Sequence, residues 1–154
     1  MEGSHFLFIA LVQAIHAIVF QLIGLVSPQW YNQKEGVGGL WKQCVGNMCT
    51  YLTSEGWLSG VQAMSILGFL AVTVAGVMIV LKMFIMKDQV QILLAAAVAS
   101  FVGAFFILMS IAVYAGENDG KGLTYGFAFT FSILGMVAAI TAGGALLLVM
   151  KEEN

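Results

Sequence analysis

Covalent chemistry has one evident place in this chain, the stretch GLWKQCVGNMC, which holds both of its cysteines, Cys44 and Cys49. Between them lies Gly46-Asn47, a dipeptide suited to a two-residue hairpin turn because both residues tolerate positive φ. With that turn, Val45 pairs with Met48 and Cys44 lies opposite Cys49. Opposed residues of this kind have α-carbons about 4.5 Å apart at non-hydrogen-bonded positions, near the lower end of what a disulfide spans. A Cys44–Cys49 disulfide is therefore expected. Two free thiols or a metal site are the alternatives, although zinc needs three or four ligands and this loop offers no histidine. So small a ring should contribute less than the roughly 3 kcal/mol of a 15-residue loop, so its expected role is to hold hairpin register.

The remaining reactive groups promise less. His16 stands in an apolar segment, and intramembrane ionisable residues are functional candidates by default. No acidic residue lies at comparable depth in any apolar segment, which favours a neutral, hydrogen-bonded packing histidine and argues against an ion pump. Gln13, His16, Gln21 and Gly24 fall within about 140° of one another at about 100° per residue, so all four are expected to point inward or toward a partner. The segment GENDGKGLT, residues 116–124, has a passing likeness to a phosphate loop, but the first interval is a residue short and Gly122 stands where Ser or Thr is required. Glu117, Asn118 and Asp119 fall short of the six to eight oxygens calcium takes, leaving a solvated turn. No HExxH, GxSxG or paired-carboxylate arrangement is present. No catalytic residue, metal or cofactor is expected, and the chain does not read as an enzyme.

Composition sets the frame for these residues. Sixty per cent of the 154 residues are apolar and nine per cent charged, with one proline and no arginine, a balance no ordinary soluble surface accommodates. The chain reads as a membrane protein in contact with the lipid bilayer, with no nucleic-acid partner. Four stretches are long and apolar enough to cross: residues 6–26, 60–81, 92–115 and 125–150. At about 1.5 Å per residue the first covers roughly 31 Å, the thickness of a hydrocarbon core. It lacks the basic leader and small-residue cleavage site of a signal peptide. The fourth is longer and must tilt or extend beyond the lipid.

Four spans make one tetraspan domain over 1–154, with loops at 27–59, 82–91 and 116–124 and a tail at 151–154. Lys82 and Lys87 crowd the middle loop, and short basic loops are retained in the cytoplasm. A disulfide needs an oxidising compartment, which places the 27–59 loop outside. All three tryptophans and all four tyrosines (Trp30, Tyr31, Trp41, Tyr51, Trp57, Tyr114, Tyr125) fall in or beside the two outer loops, a one-sided aromatic belt. Both termini are then cytoplasmic. Around the cysteines, GGLWKQCVG and NMCTYLT read as two strands, and Trp30-Tyr31-Asn32 as the start of another after Ser27-Pro28. The expected fold is mostly α: a four-transmembrane-helix bundle with a small antiparallel extracellular β-sheet.

Within the bundle, small residues at four-residue spacing mark helix contact faces. Ala96, Ser100 and Ala104 form one on the third helix, and Gly135, Ala139 and Gly143 one on the fourth. Ala71 and Ala75, or Gly68 and Gly76, could serve on the second. The bundle's own core is the expected destination of these faces.

Trp30, then Gly39-Leu40-Trp41, then Cys44 and Cys49, resembles the W...GLW...C...C signature of the claudin superfamily, which includes the epithelial membrane proteins, peripheral myelin protein and the lens fibre membrane intrinsic protein. The form GLWxxCxGNxC is most similar to the lens fibre branch. Gln62-Ala63-Met64 with Ile66-Leu67, Tyr114, and Tyr125-Gly126-Phe127 extend the resemblance along the chain. Two departures stand out. Gln62 occupies a position where many relatives carry arginine, and the tail Lys151-Glu152-Glu153-Asn154 has no hydrophobic last residue, so no scaffold-binding C-terminal motif of the β-augmenting kind is evident.

The resemblance implies a claudin-like tetraspan of the plasma membrane that acts in cell–cell contact or membrane organisation, at cell junctions, by homotypic association or with another membrane protein. Trp30, Tyr31, Trp41, Tyr51 and Trp57 are the expected contact surface, since exposed aromatics at that density mark interfaces. An auxiliary subunit escorting a channel or receptor is the second reading. A pore lined by Lys34, Glu35, Lys42 and Glu55 is the third, weakened by its mixed charge.

Overall fold

In hydrocarbon every backbone N–H and C=O must be satisfied within the chain, and the four apolar segments achieve this as α-helices. The computed structural model describes residues 2–26, 30–33, 36–45, 48–51, 56–85, 90–118 and 124–153. Ser27-Pro28, Lys34, Glu35, Gly46-Asn47, Glu55, Lys87 and residues 119–123 lie outside the described residues. Of Tyr31, Cys49, Tyr51, Trp57 and Tyr125 only the backbone is described.

The helices are α1 (Glu2–Val26), α2 (Gly56–Phe84), α3 (Val90–Asn118) and α4 (Phe127–Glu153). Within them, four spans are long and apolar enough to cross a membrane: His5–Val26, Ser59–Phe84, Val90–Gly116 and Phe127–Glu152. A 29-residue helix such as α2 or α3 is about 43 Å long, well over a hydrocarbon core of about 30 Å. Helices of that length are accommodated by tilt or by ends that extend beyond the lipid. The protein is a four-helix membrane protein.

Small side chains decide how the helices meet. On α1 the buried residues Ala10, Ala14, Ala17, Gln21 and Gly24 recur at alternating intervals of four and three, a single stripe of a 3.6-residue helix. That stripe lies on α4, where Gly135 faces the Ala17 carbonyl and Gly24 faces Ser132 and the Ala128 carbonyl. α2 packs mainly on α3 and α3 also on α4, α1 and α2 share a smaller contact, and the diagonal pairs α1–α3 and α2–α4 touch least. Two apolar cores result. One, nearer the β-sheet, gathers Ala17, Trp30, Leu40, Val61, Ile107, Tyr114 and Phe129. The other, toward the opposite end, gathers Ala10, Ala14, Ile79, Leu93, Leu146 and Val149.

Five short strands cover one end of the bundle: β1 (Tyr31–Gln33), β2 (Gly36–Gly38), β3 (Lys42–Val45), β4 (Met48–Tyr51) and β5 (Thr124–Tyr125). Their order is β4-β3-β2-β1-β5, and every pairing is antiparallel. The β3–β4 ladder sets Val45 opposite Met48 and Cys44 opposite Cys49, the register that a two-residue connection imposes.

Two features differ from the expected strands. GGLWKQCVG is not one strand, because the chain turns a corner at Gly39–Trp41 between β2 and β3. The corner lets Leu40 drop into the core and Trp41 reach α1, which a continuous strand with alternating faces would prevent. Thr124 and Tyr125, expected in the last loop and the fourth span, instead form β5 against Asn32 and Tyr31. The first and third connections thus contribute to a single sheet.

Candidate functional site: the junction of sheet and bundle

A helix leaves its last four carbonyls without intrahelical partners. α1 ends at Val26 with no basic residue in its last turn to satisfy them. Two indoles do so instead. Trp30 Nε1 donates to the Gly24 carbonyl, and Trp41 Nε1 donates to the Leu25 carbonyl at 2.8 Å. The two tryptophans of the sequence signature are C-caps delivered from the sheet.

Trp30 also joins β2, α3 and α4 at this end. Its backbone N–H donates to the Gly38 carbonyl of β2 at 2.8 Å, and its carbonyl accepts from the Gly126 N–H, at the start of α4, at 2.9 Å. Its ring is fully buried, tilted on Tyr114 of α3 with centroids 4.8 Å apart and edge-on to Phe129 of α4 at 5.6 Å. These separations suit aromatic pairs, which favour tilted and edge contacts. One side chain therefore fixes the sheet against α1, α3 and α4.

The fourth helix of the junction, α2, holds the corner. Gln62 Nε2 donates to the Leu40 carbonyl at 2.8 Å in a buried setting, and the Leu40 side chain is fully buried. Gly39 is buried beside it. A neutral amide suffices here because the acceptor is a neutral carbonyl, so no ion is desolvated.

Below this junction lies a layer of polar contacts between helices. Gln21 Nε2 donates to the Ser65 carbonyl at 3.3 Å, Ser65 Oγ and Ser110 Oγ are 2.6 Å apart, and Ser110 Oγ reaches the Val61 carbonyl at 3.5 Å. In lipid such bonds are a principal source of helix–helix specificity.

The small residues sit where helices meet. Ala96, Ser100 and Ala104 of α3 are all buried, as is Ala139. On α4, Gly135 faces α1 at Ala17, Phe20 and Gln21, whereas Gly143 faces the Phe101 ring of α3. One four-residue repeat thus serves two neighbours. On α2, Gly68 meets α3 and Gly76 meets Ile18 of α1.

Two expectations require correction. Trp30 is not part of an exposed aromatic surface, and Trp41 is half-buried; their rings are consumed in capping and packing. The side chains of Tyr31, Tyr51 and Trp57 lie outside the described residues. Instead, among the described residues, the exposed apolar side chain on the sheet is Met48, 74% exposed at the start of β4. Second, His16 is not a hydrogen-bonded packing histidine of the bundle. It stands about 120° round from the centre of the α1 stripe that meets α4, and its side chain is exposed, its ring stacked on Phe20.

Sequence reasoning did not single out Gln62 as a strut or Met48 as the exposed tip. In the sequence Gln62 stands out as part of the family resemblance and as a departure from an arginine, and Met48 as the hairpin partner of Val45. Among the described residues no group of three His, Cys, Asp or Glu could hold a metal ion. Cys44 is half-buried, and among the described residues no cysteine is free.

No curated protein matches the chain. Four membrane-spanning helices, a sheet drawn from the first and third connections, the W...GLW residues at its junction and the two cysteines paired across β3 and β4 agree with the comparison to known families: over residues 4–147 the chain matches, and belongs to, the PMP-22/EMP/MP20/Claudin family.

Proposed function

We propose that this protein is a non-enzymatic, claudin-like tetraspan of the plasma membrane that acts in cell contact or membrane organisation through its sheet. The observation that carries the reading is the junction: three buried or half-buried side chains, Trp30, Trp41 and Gln62, hold the sheet rigidly on the helix ends while Met48 is left exposed at its tip. A stiff platform loses little entropy on association, and an exposed methionine suits adaptable apolar contact. In this reading the sheet is extracellular, both termini are cytoplasmic, and a Cys44–Cys49 disulfide locks the β3–β4 register. The family resemblance supports homotypic association as the mode, and the form GLWxxCxGNxC supports a likeness to the lens fibre branch.

The test is vesicle clustering. Protein reconstituted with its sheet outward should cluster phosphatidylcholine vesicles, and Met48→Asp should remove most of that clustering without loss of helix content. Clustering that is unchanged by Met48→Asp and by Cys44→Ala would overturn the reading.

A further inference from the structure

His16 lies midway along the α1 span His5–Val26, with its side chain on the outside of the bundle. Ionisable and polar side chains at that depth ordinarily face a bundle interior or pair with one another. Two threonines in the spans are satisfied locally, Thr73 Oγ1 donating to the Phe69 carbonyl at 2.8 Å and Thr141 Oγ1 to the Val137 carbonyl at 2.9 Å, whereas the buried Ser132 Oγ has no partner among the described residues. The imidazole is not satisfied locally either, since among the described residues nothing bonds its nitrogens.

Its surroundings form a continuous aromatic strip. His16 stacks on Phe20 with centroids 5.8 Å apart at 15°, Phe20 on Phe131 of α4 at 5.5 Å and 23°, and Phe131 meets Phe127 edge-on at 5.9 Å. Phe127 is 51% exposed. The strip follows the α1–α4 seam from mid-membrane to the sheet end of the bundle.

We propose that this strip is a self-association seam within the membrane, in which two copies of the chain pair through His16. The argument for a second copy is complementarity. A neutral imidazole carries one N–H donor and one bare nitrogen acceptor, so the N–H of His16 in one copy can donate to the bare ring nitrogen of His16 in the other, a single N–H···N bond that needs no counter-charge. A lipid chain offers neither group. A carboxylate partner would have to be carried to mid-membrane at greater cost. About a twofold axis each copy presents the same patch, the commonest geometry of homo-oligomers, and the flanking phenylalanines supply flat surfaces for packing. The proposal deepens the homotypic reading above and rests on it, adding a contact within one membrane to the contact made by the sheet.

The experiment uses full-length protein in phosphatidylcholine vesicles, half labelled with a donor and half with an acceptor fluorophore, with energy transfer followed as protein is diluted into lipid. His16→Leu should require about tenfold more protein per lipid for half-maximal transfer, the scale of one interhelical hydrogen bond. His16→Gln, which keeps a donor and an acceptor, should recover most of the loss. Val98→Leu, on the lipid-facing side of α3, should change nothing. Wild-type transfer that never exceeds the random-proximity level, or a His16→Leu curve that overlays the wild type, would overturn the seam. Vesicle clustering measured on the same samples separates the two ideas: loss of Met48-dependent clustering alone strikes the sheet's role, and loss of His16-dependent transfer alone strikes the seam.

Discussion

Gly68 of α2 and Gly103 of α3 face each other so closely that a β-carbon on either would lie 3.2 Å from the other's carbonyl oxygen. The same added carbons would come within 2.8 Å of Ile107 and 2.7 Å of Val72. Both of those side chains are β-branched and stiff. The contact is where the two helices approach backbone to backbone, as small residues permit in membranes.

Gly103→Ala should therefore destabilise the bundle by about 1–3 kcal/mol, the usual cost of overpacking. Gly144→Ala should be neutral or mildly stabilising, because nothing lies within 4 Å of its added carbon and alanine favours a helix interior by roughly 0.5–1 kcal/mol. Unfolding in mixed detergent checks both. Equal effects at the two positions would count against the Gly68–Gly103 approach.

Trp30→Phe should keep most of the aromatic packing but strand the Gly24 carbonyl, at a cost of about 1–3 kcal/mol for a buried unpaired acceptor. Trp30→Ala should cost about 3–5 kcal/mol by adding a cavity. Trp41→Phe should cost less than Trp30→Phe, because Trp41 is only half-buried and its freed carbonyl lies nearer water. Thermal unfolding of the three variants tests that ranking.

Gln62→Leu should destabilise the protein by about 1–3 kcal/mol, since the Leu40 carbonyl then loses its buried donor. Limited proteolysis should show faster cleavage near the Gly39–Trp41 corner with helix content retained. Unaltered cleavage would mean that the strut is dispensable.

Reduction should raise the intact mass by about 2 Da, the two hydrogens taken up by one disulfide. Cys44→Ala should leave the helical circular dichroism unchanged while weakening outer contacts, because the bond closes a loop too short to contribute much unfolded-state entropy. A mass insensitive to reductant would exclude the bond.

Much of the architecture is legible in the residues. The class follows from composition, because a chain with 60% apolar and 9% charged residues has no surface to offer water. The paired positions of Cys44 and Cys49 follow from their spacing, because a two-residue turn leaves an antiparallel ladder no other alignment. The small-residue repeats on α3 and α4 are equally visible, since in lipid only small side chains let backbones approach.

Tertiary structure alone decided which way each residue of these elements turns. A helix that is apolar all round carries no face in its periodicity, so the 140° arc on α1 did not reveal that Gln21 lies inside and His16 outside. Thr124 and Tyr125 form a strand only because Tyr31 and Asn32 are alongside. The aromatic belt was visible as composition, but whether an indole faces a partner or caps a helix depends on where the chain ends α1. At Val26 that helix leaves carbonyls that must find donors, and Trp30 and Trp41 are the donors the fold brings within reach.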